Sequence, residues 1–275
     1  MSHVAKMAGL AMCLSLWTVA PAAADALNDA QAAYQQANYG EAYCLYRLAA
    51  DQGSEVAQYN LGVLYAKGQG VAQDYQQAKV WYEKSASQGS ASAQVAIGAI
   101  YLAGLGVRRD YAVAAEWYRK AADQGDPGGQ NNLGLMYDKD RGVPQNFGEA
   151  IKLFYAAAVR GYAPAQTNLG YMHEKGRGTP PSWIEAVKWY SKAAEQGYPE
   201  AQQNLGNMYA KGVGVPRDLV RAYMWYTLAA KHFSNLDPRN RDIAISRYTA
   251  VERDMTHAQI AKAKELAKAW HPAEE

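Results

Sequence analysis

The residues with the clearest chemical potential are glycines. In "YAKGQGVAQDY", Tyr65 to Tyr75, Gly68 and Gly70 form a Gly-x-Gly ahead of a helix-like segment. In a nucleotide-binding protein such a loop lets backbone N–H groups cradle a phosphate. That loop occurs once per site and follows a strand. Here the motif returns as "YLAGLGVRRDY" from Tyr101, "YDKDRGVPQNF" from Tyr137, "HEKGRGTPPSW" from His173 and "YAKGVGVPRDL" from Tyr209, always 36 residues on. A motif present five times, each time after a helix pattern, bends the chain.

Other chemistry is equally sparse. The sequence has no Gly-x-Ser-x-Gly elbow, no Ser-x-x-Lys and no His-Glu-x-x-His. The pair His173-Glu174 lacks a second histidine, and His173 takes the phase of Tyr65. His232, His257 and His271 show no metal-ligand spacing, and no thiol pair supports zinc. No catalytic residue, cofactor or metal is expected.

One polar ladder does suggest binding. Asn60, Asn132, Asn168 and Asn204 share a phase, with Ala96 the exception. The position one turn on varies: Val63, Ala99, Leu135, Tyr171 and Asn207. A constant amide beside variable neighbours suits generic grip on a peptide backbone plus local specificity. The alternative is that these asparagines hydrogen-bond the backbone of the next repeat.

The elements that must position these residues read as helical pairs. Ala57, Leu61, Leu64 and Tyr65 form one apolar stripe of 3.6-residue period. Gly68 stops that helix, a position suited to the left-handed conformation. Asp74 with Gln77 reads as a capping box for a second helix, as do Asn146 with Glu149 and Ser182 with Glu185. That helix buries Ala78, Trp81, Tyr82 and Ala86. Mid-helix Gly62, Gly98, Gly134, Gly170 and Gly206 each cost about 1 kcal/mol relative to alanine. Close approach of a large aromatic from the second helix explains them. No repeat can bury its stripe alone, so the repeats must stack.

The chain divides accordingly. Residues 1–24 read as a signal peptide: Lys6, an apolar run from Met7 to Ala20, and an Ala-x-Ala site ending at Ala24. The run is too short to span a bilayer. Cleavage would remove Cys13 and leave Cys44 as the remaining cysteine, so no internal disulfide is expected. Residues 25–53 form a shortened repeat, residues 54–233 five tandem repeats, and residues 234–275 a cap of two helices, from about Arg241 to Arg253 and from His257 to Trp270. The formal net charge of +2 argues against a nucleic-acid partner. In the third repeat, Asp140 replaces the first hinge glycine and Gly128-Gly129 precedes it, marking a soft joint.

With "AQYNLGVLYAKGQGVAQDYQQAKVWYEKSASQG" in view, the chain resembles the Sel-one-like repeat (SLR) family, a branch of the tetratricopeptide-like solenoids. The segment "MTHAQIAKAKELAKAW" is similar to the C-terminal cap of many bacterial members. The resemblance implies an all-α, right-handed α/α superhelical solenoid whose asparagine phase lines a concave groove. It also implies protein–protein contact without naming a partner. Exported bacterial members serve as adaptors or regulators in envelope and polysaccharide systems. The expected role is therefore a periplasmic or secreted adaptor that holds an envelope sensor, a secretion component or another protein or peptide, with no membrane span. Cysteine-rich relatives described as β-lactamase-like suggest a rival reading, a cell-wall or β-lactam hydrolase. Their cysteine pairs are missing here.

Overall fold

The computed structural model describes residues 23–233 and 237–272. The expected signal peptide over residues 1–24 therefore falls almost wholly outside the described residues, as do positions 234–236 of the turn that follows the repeats. The described residues form helices only, and their helix-turn-helix units make an α/α solenoid. In order they are α1 (Ala23–Gln35), α2 (Tyr39–Asp51), α3 (Glu55–Lys67), α4 (Tyr75–Ser87), α5 (Ala91–Ala103), α6 (Tyr111–Asp123) and α7 (Pro127–Asp138). Then come α8 (Phe147–Ala158), α9 (Ala163–Lys175), α10 (Trp183–Glu195), α11 (Pro199–Lys211), α12 (Leu219–His232), α13 (Pro238–Glu252) and α14 (His257–Ala269).

The repeat explains each boundary. Ser54 caps α3, its Oγ accepting from the Ala57 N–H at 3.3 Å. Gly68 ends that helix with φ of 68°, and its N–H bonds the Leu64 carbonyl. Gly104, Gly176 and Gly212 end α5, α9 and α11 in the same left-handed geometry. Asp140 adopts it too, at φ 56°, where most L-residues lose roughly 1–2 kcal/mol and Asp loses less.

The second hinge glycine has a different cause. A Cβ on Gly70 would stand 2.1 Å from the Tyr39 carbonyl oxygen, and one on Gly214 2.5 Å from that of Trp183. Each hinge thus lies directly on the first residue of an earlier second helix. Two of its N–H groups are used within the chain: the Gln69 N–H on Leu64 O and the Asp74 N–H on Tyr65 O. The hinge glycine is thus occupied by a carbonyl oxygen of the chain itself, where a phosphate loop would face its ligand.

The capping pairs are simpler than the sequence suggests. Asp74, Asn146 and Ser182 each accept from the backbone N–H at the third helical position. The reciprocal bond is absent at all three, and Glu149 pairs instead with Lys152 and Glu185 with Lys188. A reciprocal box does form at Thr256–Gln259, which starts α14. Helix α13 starts three residues before Arg241, because Asp237 caps it and Pro238 fits its first turn. Cys44 is buried on α2, and Cys13, on which the disulfide expectation turns, lies outside the described residues.

The chain separates into two compact halves. The first runs to Met136 with residues 140–144; the second holds residues 137–139 and Gln145 onward. The division falls in the repeat that carries Asp140. In the first half, Leu61, Leu64, Trp81, Tyr82, Ile97 and Ile100 make the core. Burying each large side chain contributes about 1.5–3 kcal/mol. The mid-helix glycines admit the second-helix tyrosines: a Cβ on Gly62 would meet the Tyr82 ring at 2.6 Å, and on Gly98 the Tyr118 ring at 2.6 Å. Gly129 also has a packing reason, since its Cβ would sit 2.6 Å from that of Ala121. The second half repeats the arrangement around Tyr190, Leu205, Met208 and Leu228. There α13 and α14 both pack on α12.

Candidate functional site: the polar face of the first helices

Two amide ladders run along the first helices, and they differ in burial. The glutamines that follow Ala57, Ala93, Ala165 and Ala201 are buried: Gln58, Gln94, Gln166 and Gln202. A buried amide must be paired on both ends or it costs several kcal/mol. Gln58 Nε2 donates to Ala50 O, Gln166 Nε2 to Ala158 O, and Gln202 Nε2 to Ala194 O. Their oxygens accept from the end of the second helix in the same repeat: Gln88 on Gln58, Gln124 on Gln94, and Gln196 on Gln166, each at 2.8 Å. In the last repeat His232 takes that place, its Nδ1 lying 2.9 Å from Gln202 Oε1.

This glutamine ladder does the work the alternative reading gave to the asparagines, tying one helical pair to the next. Its signal was in the sequence, as a polar residue held constant at a core phase. Asn60, Asn132, Asn168 and Asn204 stay half-buried. Asn132 Oδ1 accepts from Asn131 Nδ2 at 3.4 Å, within the same helix.

The variable positions carry the individuality. Val63 and Leu135 are half-buried and Ala99 is exposed. Asn207 is taken by its own chain: its Oδ1 accepts from Tyr226 Oη at 2.8 Å and from Arg247 of α13. Tyr171 stands among cations, with Lys139 Nζ 5.8 Å, Lys175 Nζ 5.7 Å and Arg177 Cζ 5.3 Å from its ring centre. Asp138 holds two of them, Lys139 at 2.8 Å and Arg177 at 2.9 Å. Glu174 holds Lys175 at 2.6 Å and accepts from Tyr190 Oη at 2.9 Å. The hydrogen bond to Glu174 raises the Lys175 pKa. Burial, and then Glu174, push the Tyr190 hydroxyl far up, so it stays a donor. Spacing alone did not reveal this cluster, because its members come from two hinges.

All six predicted residues therefore lie on first helices, divided between the halves. Asn60 and Asn132 belong to the first, and Asn168, Tyr171, Asn204 and Asn207 to the second. His173 Nδ1 is buried without a hydrogen-bond partner. Among the described residues no group of three His, Cys, Asp or Glu could hold a metal ion. No helix there is long and apolar enough to cross a membrane.

A stack of two-helix repeats, joined by left-handed hinges and by buried amides, defines a helical-repeat scaffold. The Sel1 repeat model matches residues 31–54, 56–90, 91–126, 127–162, 163–198 and 199–232, and the chain belongs to that family. It is similar to the crystal structure of a Sel1 repeat protein from Oxalobacter formigenes, with 29% identity and a TM-score of 0.74 over 91% of this chain and 99% of that one. It also resembles c5321, a protective antigen of uropathogenic Escherichia coli with an SLR fold, at 31% identity and a TM-score of 0.51. That match takes in 90% of this chain and 61% of the antigen. The immunity protein PA5088 from Pseudomonas aeruginosa shares the fold at 22% identity and a TM-score of 0.50, over 94% of both chains. No curated protein matches the chain.

Proposed function

We propose that this chain is an exported adaptor, without catalytic activity, that holds a protein or peptide of the cell envelope along the polar face of its first helices. Sel1 repeats are protein–protein interaction scaffolds, which supports the general role. The apolar run after Lys6 and the Ala-x-Ala site at Ala24 support export to the periplasm or beyond. An envelope sensor or secretion component is the partner this location favours.

The observation that carries the reading is the division of labour between amides. Buried glutamines hold the frame, while the asparagines at the neighbouring phase stay half-buried, with surface that a ligand can reach. An extended peptide offers an N–H and a C=O at each residue, and an amide side chain matches both.

The test is crosslinked capture from periplasmic extract with the Asn132→Ala/Asn168→Ala double variant. Each lost contact is worth about 0.5–1.5 kcal/mol, so capture should weaken roughly fivefold to a hundredfold. The melting temperature should hold. Lost stability with unchanged capture per folded molecule would return these residues to the scaffold.

A further inference from the structure

We propose that the cationic cluster around Tyr171 receives an acidic side chain of the bound peptide. This rests on the adaptor reading above and names the chemistry of one position in it.

The charges at this position are not needed to build the hinge. The residue two before the left-handed hinge position is Ala66, Leu102 and Ala210 in three repeats, and those hinges close on Gly68, Gly104 and Gly212 in the common geometry. Only the two hinges beside Tyr171 carry acids there, Asp138 and Glu174. Both carboxylates are well covered, with side chains 4% and 15% exposed. They draw Lys139, Arg177 and Lys175 to one place. Three cations against two carboxylates leave one positive charge in excess.

Arg177 is the receiving group. Its guanidinium lies 5.3 Å from the Tyr171 ring centre and 5.5 Å from that of Phe147, and Nη1 donates to Asp138. Placed between two rings and one carboxylate, a guanidinium still has donors for a second carboxylate. Its side chain is 33% exposed, so desolvation on binding is modest.

The next repeat shows the same position in use. There Asn207 and Tyr226 form an uncharged acceptor site, and the chain's own α13 fills it with the cation Arg247. At Tyr171 the lining instead carries cations in excess of carboxylates, so the complementary guest is an anion. An acidic peptide residue fits the peptide already proposed for the asparagine face.

The experiment titrates fluorescein-labelled tetraglutamate, tetraglutamine and tetralysine peptides into the full-length protein, read by fluorescence anisotropy. Tetraglutamate should bind best and weaken as salt rises. Arg177→Gln should cost it about tenfold, the loss of one charge-assisted contact. Lys175→Gln, at an exposed lysine, should weaken it several-fold with no change in melting temperature, which guards against a folding defect at Arg177. Lys152→Gln, an exposed lysine of α8, should change nothing. Equal binding of tetraglutamate and tetraglutamine, or indifference to both Arg177→Gln and Lys175→Gln, overturns the proposal. If tetraglutamate fails while Asn132→Ala/Asn168→Ala still weakens capture of the natural partner, the adaptor reading stands and the acidic guest falls.

Discussion

Ser85 occupies a phase that the other second helices fill with Ala49, Ala121, Ala157, Ala193 and Ala229. All six side chains are fully buried, and the Ser85 hydroxyl has no hydrogen-bond partner. An unpaired buried hydroxyl costs about 1–3 kcal/mol, and serine is also the poorer helix former. Ser85→Ala should therefore stabilise the protein by about 1–2 kcal/mol, read as a higher midpoint in chemical denaturation. His232 makes the opposite exchange, a titratable ring where the repeat uses glutamine. Gln202 spends its Nε2 on Ala194 O and offers Oε1, so the neutral ring carries its proton on Nδ1. Burial, and then Lys231, lower the His232 pKa from its ordinary 6.5. The unfolded chain then takes up a proton more readily than the folded one. Stability from this residue is complete above that ordinary value and is lost as pH falls toward the lowered one. His232→Gln should keep the bond to Gln202 and flatten the fall of melting temperature on acidification below neutrality. An unchanged slope would assign the acid sensitivity to other groups.

At the scale of elements, the closing helix α14 is the piece most open to test. It buries Ala263 and Ala267, and Trp270 just beyond it lies 6.3 Å from Trp225 and 5.2 Å from His232. A terminal repeat exposes an apolar face unless something covers it. Deleting residues 256–275 should lower the melting temperature and cause aggregation, visible by light scattering. Unchanged melting and solubility would make α14 an appendage. The helices themselves were legible in the sequence, because their stripes, caps and hinge glycines are local signals. The second glycine of each hinge was legible as a bend. The reason for it, the carbonyl of a residue such as Tyr39 lying against Gly70, comes from another repeat and has no local mark.

The whole molecule is a frame set by strict phase, with individuality at a few places. Phase made the frame readable: Gly62 predicts a large neighbour, and Tyr82 is that neighbour. The candidate site was readable only in part. The asparagine phase stood out as polar, but so did the glutamine phase, and burial is what separates the two. The Tyr171 cluster was hidden because Lys139 reaches it from the hinge of the previous repeat, 32 positions back in the chain. Asn207 looked open and is occupied, because Arg247 comes from the cap, where the repeat phase no longer applies.

The tryptophans have an optical consequence. Trp81 lies beneath Lys84, Trp117 beneath Lys120 and Trp189 beneath Lys192. Trp225 instead faces another indole, Trp270, with the ring planes 71° apart. Two indoles so close and held at an angle share their excited states, and a chiral arrangement gives that sharing a signed band in near-ultraviolet circular dichroism. This pair thus makes the docking of the last helix visible: its band disappears when Trp270 swings away, while the three indoles under lysines keep their own spectra.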